Sequence, residues 1–146
     1  MVGVRPMADL VFRVLFSLIF LGAGLKHLVR PDDLIARLEE APLAWMAIAV
    51  GRPSLLMALT GVVLLAAGLG LLLGWWTRLS AVALIAVLIP ITVVVDLGHT
   101  DNMGPLFKNI ALLGGLIHFA ARGPGAYALD TRRQSVGLPS RGGTAT

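Results

Sequence analysis

The stretch Pro53-Ser54-Leu55-Leu56-Met57-Ala58-Leu59-Thr60-Gly61-Val62-Val63-Leu64-Leu65-Ala66-Ala67-Gly68-Leu69-Gly70-Leu71-Leu72-Leu73-Gly74-Trp75-Trp76-Thr77 decides the fold. It runs for 25 residues without a charge and stops at Arg78. A helix needs about 20 apolar residues to cross the hydrocarbon of a bilayer, and aromatic side chains followed by a cation mark the edge of that layer. The segment therefore reads as a transmembrane helix ending at Trp75 and Trp76. Within it Ala66, Gly70 and Gly74 recur every four residues, which makes one face small enough for another helix backbone to come close. A ligand groove on that face is the alternative.

Outward from this segment, three further runs have the same character. Residues 7–28 make 22 positions that are apolar apart from Asp9, Arg13, Ser17, Lys26 and His27. Their short basic start and the small residues Gly22, Ala23 and Gly24 also fit a secretory signal peptide; three comparable runs follow and no soluble domain does, so a first span is the better reading. Residues 79–95 are 17 uncharged positions containing Pro90, which frees a backbone carbonyl and predicts a kink whose loose group a neighbour must satisfy. Pro105 opens a fourth run to Ala121, in which Lys108 can snorkel to the interface and His118 is expected to hydrogen-bond another helix.

Between the first two runs the pattern changes. Leu34, Ile35 and Leu38 fall on one side and Asp32, Asp33, Arg37, Glu39 and Glu40 on the other, which predicts a short amphipathic helix at the interface, begun by Asp32 or Asp33 and stopped by Pro42. Residues 43–50 are too short to span and continue that layer, with Trp45 at headgroup depth. The expected fold class is an all-α integral membrane bundle with spans at about 7–28, 53–77, 79–96 and 105–121, and an interfacial segment at 31–50. Residues 1–130 form this one domain, and the Gly-, Ser- and Arg-rich residues 131–146 are expected to be a disordered cytoplasmic tail.

Composition agrees. Of 146 residues 57% are hydrophobic and 14% charged, with a mean hydropathy of +0.86, which excludes a soluble domain that must cover its surface with polar groups. The chain has no cysteine, so it cannot supply a disulfide, a thiolate nucleophile, an iron–sulfur cluster or a thiolate zinc site. A net charge of +4 and a pI near 10.7 raise nucleic acid as a partner, but the basic residues flank apolar runs instead of forming one stripe, and that reading is rejected. With four spans, seven Lys/Arg (Arg5, Arg13, Arg78, Arg122, Arg132, Arg133, Arg141) collect on one side and five (Lys26, Arg30, Arg37, Arg52, Lys108) on the other. This bias places both termini in the cytoplasm of a bacterial plasma membrane and turns the 31–50 connection and the 96–108 loop outward.

Three stretches in order carry a resemblance: Arg13-Val14-Leu15-Phe16-Ser17-Leu18-Ile19-Phe20-Leu21-Gly22-Ala23-Gly24-Leu25-Lys26; Gly70-Leu71-Leu72-Leu73-Gly74-Trp75-Trp76-Thr77-Arg78; and Asn109-Ile110-Ala111-Leu112-Leu113-Gly114-Gly115, closed by Gly123-Pro124-Gly125-Ala126-Tyr127-Ala128-Leu129-Asp130. Together, over residues 9–130, they resemble the DoxX family of small four-helix bacterial membrane proteins. The resemblance implies an oxidoreductase-associated protein, since relatives include a membrane subunit of a thiosulfate:quinone oxidoreductase and a member proposed to join a thiol and superoxide detoxification assembly. It also implies a glutamate about ten residues before Gly74, where this chain has Leu64, so any chemistry resting on that glutamate is missing here.

The polar residues are weighed on that basis. Lys26 matches the lysine after the family's small turn, and topology puts Lys26, His27, Asp96, His99, Asp101, Lys108 and Asn109 at one outer end. Such a patch can hold a quinone head, because a carbonyl needs a Lys, His or Asn donor beside an apolar slot. The plainer alternative is solvated interface residues and snorkelling anchors. Axial haem ligation by His27 and His99, or a metal site, lacks any recognised spacing. Asp9 and Arg13 share a helix face and neutralise each other, and Asp130 is expected to pair with Arg122, Arg132 or Arg133.

The expected function is an accessory or anchor subunit of a membrane-associated oxidoreductase, with no catalytic residue or cofactor of its own and a quinone site shared with a redox partner. It is more a non-catalytic subunit than an enzyme on its own. The alternatives are a small homo-oligomeric transporter or lipid-binding protein, and an assembly scaffold; the scarcity of ionisable groups in the span centres counts against an ion path.

Overall fold

The computed structural model describes residues 4–97 and 103–123 together with Gly125 and Ala128, with side chains from Pro6 onward. His99, Asp101, Asp130 and the expected tail at 131–146 lie outside the described residues. The elements are α1 (Val4–Val29), α2 (Pro31–Glu39), α3 (Ala44–Val50), α4 (Pro53–Leu73), α5 (Thr77–Ile91) continued by a π-helical turn (Thr92–Asp96), and α6 (Gly104–Arg122). Pro6–Val29, Pro53–Leu73, Thr77–Asp96 and Gly104–Arg122 are each long and apolar enough to cross a membrane.

The order of packing is α1 on α4, α4 on α5 and α5 on α6, and the core runs through all four. Phe16 and Phe20 of α1 meet Leu64 and Leu71 of α4, Leu84 and Leu88 of α5, and Leu112, Leu116 and Phe119 of α6. Large side chains on the outside, such as Leu15, Val62, Leu79 and Phe107, are more than half exposed, which suits a lipid surface and not water.

The helices approach closely where side chains are small, because in lipid the packing itself holds spans together. On α1 a Cβ at Gly24 would lie 3.0 Å from both the Gly61 carbonyl oxygen and Leu64 Cβ, and on α4 Gly61 and Gly68 face Leu28 and Leu21 of α1. The α1–α4 seam uses Gly24, Gly61 and Gly68, while in the row Ala66, Gly70 and Gly74 it is Gly70 that meets another helix, at Ser80 of α5. Gly70 and Gly74 also form the helix end. Gly74 sits at φ 65° and ψ 35°, the Trp75 N–H donates to the Gly70 carbonyl at 2.8 Å and the Gly74 N–H to the Leu71 carbonyl at 3.2 Å, a Schellman closure that stops α4 four residues before the expected boundary at Thr77. Gly70 faces the Ser80 hydroxyl and the Trp75 carbonyl across the turn.

The α1–α6 seam is built differently. The rings of Phe12 and Phe119 stack at 5.4 Å, and the Phe16 ring occupies the space a side chain at Gly115 would fill. His118 is exposed and stands edge-on to Phe12 and Phe119, so its expected hydrogen bond to another helix is replaced, among the described residues, by aromatic contact.

The connection between spans one and two forms two short helices. Pro31, not Asp32 or Asp33, opens α2, because a proline at the first helical position loses no hydrogen bond, and the two aspartates occupy the first turn where the helix dipole favours them. Leu38 is buried and Leu34 and Ile35 half-buried, and α2 lies against α4. α3 buries no residue and leaves Trp45 exposed.

Candidate functional site

The chemistry concentrates where α5 loses its regular register. Pro90 has no N–H to offer the carbonyl of Ala86, and two residues later the Thr92 hydroxyl donates to the Leu88 carbonyl at 2.7 Å. The helix answers with a π turn, closed by the Leu97 N–H donating to the Thr92 carbonyl at 3.0 Å. Such turns carry one extra residue and re-aim the side chains that follow. Here the re-aimed side chain is Asp96, only 6% exposed and the sole buried carboxylate among the described residues.

Asp96 is held from two elements. The Asn109 Nδ2 of α6 donates to Asp96 Oδ2 at 2.7 Å, with Asn109 itself buried. Arg37 Nη2 of α2 lies 3.7 Å from Asp96 Oδ1, an ion pair longer than a hydrogen bond, and the Arg37 side chain is 54% exposed. The strong bond thus fixes Oδ2, and Oδ1 faces a looser cationic partner at the membrane surface.

Beside this cluster runs an apolar groove of about 540 Å³ between the interfacial helices, α4 and the end of α5. Leu38, Met46, Thr60, Val87, Pro90 and Val95 are among its walls. Leu38 and Val95, the chain neighbours of Arg37 and Asp96, are among the walls, whereas Arg37, Asp96 and Asn109 are not. Met46, Ile89 and Pro90 are exposed, which leaves the slot open on the membrane side.

The other expected site residues are placed as follows. Lys26 and Lys108 are exposed. His27 Nδ1 is 2.8 Å from the Ala23 carbonyl of its own helix, a bond that ties the ring to α1, and its Cβ packs at Gly61. His99 is outside the described residues. Among the described residues no group of three or more His, Asp or Glu is placed to hold a metal ion. Arg37 was not singled out from sequence, because a cation on the polar face of an amphipathic helix reads as solvated. Its one signal was its place immediately before Leu38, the deepest apolar residue of α2.

A second polar cluster lies at the opposite end. Arg13 is 2% exposed, interacts electrostatically with Asp9, and fills the space beside Gly74 and Ala128; the Ser17 hydroxyl donates to the Arg13 carbonyl at 2.6 Å. Leu64, where the resemblance implies a glutamate, is buried in the core at 3% exposure. An acid there would face Gly24 across the α1–α4 seam.

Four apolar spans, two surface-lying helices and a buried carboxylate at one end define a multi-pass membrane protein. The DoxX family model matches residues 8–97, from α1 to the end of the π turn, and the chain belongs to the DoxX family. Neither the curated proteins nor the solved structures give a match.

Proposed function

We propose that this DoxX-family protein is an accessory or anchor subunit of a membrane-associated oxidoreductase in a bacterial plasma membrane, and that it contributes a quinone-binding site at the outer face. The observation that carries the reading is the apolar groove of about 540 Å³, whose walls include Leu38 and Val95, the chain neighbours of Arg37 and Asp96. An apolar slot with a few convergent polar groups is the general form of a small-molecule site, and this one opens toward lipid, where an isoprenoid tail resides. Arg37 and the second N–H of Asn109 offer donors to a carbonyl, and Asp96 offers an acceptor to a hydroxyl. Exposed Lys26 and Lys108 belong to the rim at this end and anchor the spans; the histidines have no assigned role. A quinone supplies two-electron redox chemistry when bound. The chain has no cysteine, so a partner subunit with its own cofactor delivers or takes the electrons.

The test is purification from native membranes in mild detergent with intact-complex mass spectrometry. A stoichiometric flavin-, haem- or thiol-active subunit, or a bound quinone, is the expected outcome. A homo-oligomer carrying only phospholipid would overturn the reading in favour of a lipid-binding protein or scaffold.

A further inference from the structure

We propose that a cleft between α4 and α5, at the Trp75–Trp76 end, binds the fatty-acyl ester of one phospholipid, with the chain lying in the cleft and the Ser80 hydroxyl donating to the ester carbonyl. This site is at the opposite end of the two helices from the groove described above, and it stands independently of the quinone reading. The cleft has a volume of about 280 Å³. Ala66, Ala67 and Gly70 of α4 and Ala83 of α5 are among its walls, and Trp75 and Trp76 wall the end at the turn. Two observations mark it as a site. Ser80 lines the cleft and is only 8% exposed, yet its hydroxyl hydrogen-bonds to no described residue. It lies against Gly70, where any side chain would overlap it, and a secluded hydroxyl without a partner costs free energy that an incoming acceptor restores. Trp76 is the one non-glycine with positive φ among the described residues, at φ 50° and ψ 43°, a strained conformation for so bulky a residue. In that conformation it walls the cleft beside Trp75, with ring centroids 6.0 Å apart.

Depth and chemistry choose the occupant. The tryptophans stand at the membrane edge, where such rings meet the polar layer. From the end of α4 at Leu73 back to Ala66 the wall rises about 10 Å, which lies within one leaflet, half of a hydrocarbon layer about 30 Å thick. A chain entering beside the tryptophans therefore stays in its own leaflet. A phospholipid carries its ester carbonyls where chains meet head groups, the level of Ser80 in the first turn of α5. An ester carbonyl accepts hydrogen bonds and donates none, the complement of a serine O–H with no partner. The alanine and glycine walls leave room for an unbranched chain. A helix of a second copy would need an open face over several turns, and the exposed tryptophans stand across this one.

The experiment titrates the full chain in detergent micelles with dioleoylphosphatidylglycerol and, in parallel, with its dioleyl ether analogue, which differs only in lacking the two ester carbonyls. Bound lipid is counted by native mass spectrometry. The ester lipid is expected to bind about three- to tenfold more tightly, the worth of one neutral hydrogen bond. Ser80→Ala should bring the ester down to the affinity of the ether. Ala66→Phe, at an exposed position on the cleft wall, should abolish the first bound lipid of either kind by filling its space. Folding of both variants is followed by helical circular dichroism and monodispersity; should S80A fail to fold, the ester-to-ether ratio of the wild type and the A66F result still decide. Equal binding of the two lipids by the wild type, an ester preference that survives S80A, or lipid binding untouched by A66F each overturns the proposal. A dimer that A66F breaks, with no lipid bound, also overturns it and assigns the cleft to a second copy of the chain.

Discussion

At the scale of single residues, the pair Asp96 and Asn109 sets the expectation most sharply. Asn109→Ala removes the one short hydrogen bond on a buried carboxylate, and stranding such a group costs about 1–3 kcal/mol, more when it stays charged. Thermal unfolding in nanodiscs should show N109A destabilised, and the double variant with Asp96→Asn should recover part of the loss, because the stranded charge is then gone. Arg13 behaves as the counterpart at the other end. Its guanidinium fills the space against Gly74, so Arg13→Ala leaves a void there and should cost roughly 2–4 kcal/mol, read by thermal unfolding in nanodiscs. What the sequence made legible at this scale was uneven. Asp96 and Asn109 stood in the outer patch because topology puts them at one end of the bundle. The 2.7 Å bond between them depends on a π turn that no hydropathy pattern encodes, and Arg37 was hidden by sitting on a face whose pattern says solvent.

At the scale of elements, the four spans were readable because hydropathy and length are conditions that lipid imposes on each helix separately. The seams between them were less readable. Ala66, Gly70 and Gly74 have the spacing of a close-packing face, but a helix end needs glycine for a different reason, and the left-handed turn at Gly74 consumes two of the three. The working seam uses glycines seven apart, Gly61 and Gly68, two turns along one face of α4. A direct comparison follows. Gly24→Ala drives a methyl into the Gly61 carbonyl and Leu64 and should destabilise by about 1–3 kcal/mol. Gly22→Ala, which meets nothing within 4 Å, should be neutral or gain up to about 1 kcal/mol from helix propensity. Denaturation of the two variants side by side in one lipid composition checks the seam.

At the scale of the whole molecule, the arrangement of charge about the spans gives an orientation that can be measured cleanly, because the chain has no cysteine of its own. Single cysteines placed at Ser54, at the end proposed to face outward, and at Arg78, in the first turn of α5, are each the only thiol present. A membrane-impermeant maleimide added to intact cells should label the variant S54C and spare R78C until the cells are opened. The reverse pattern would turn the bundle over and place the Asp96 cluster in the cytoplasm. Orientation decides which aqueous phase the exposed Arg37 meets.

The π turn at Thr92–Asp96 has a consequence for how this span tolerates change in length. It works as a one-residue phase shift: everything upstream keeps α-helical step, and Asp96 arrives rotated relative to where an unbroken helix would carry it. Removing a single residue such as Val93 would restore the regular step and swing Asp96 by about 100° around the helix axis. The chain would gain a more perfect helix and lose the inward carboxylate. Substitutions along this stretch are therefore forgiving so long as they stay apolar, whereas insertions and deletions of even one residue are not, and length here, more than identity, is what holds the acid in place.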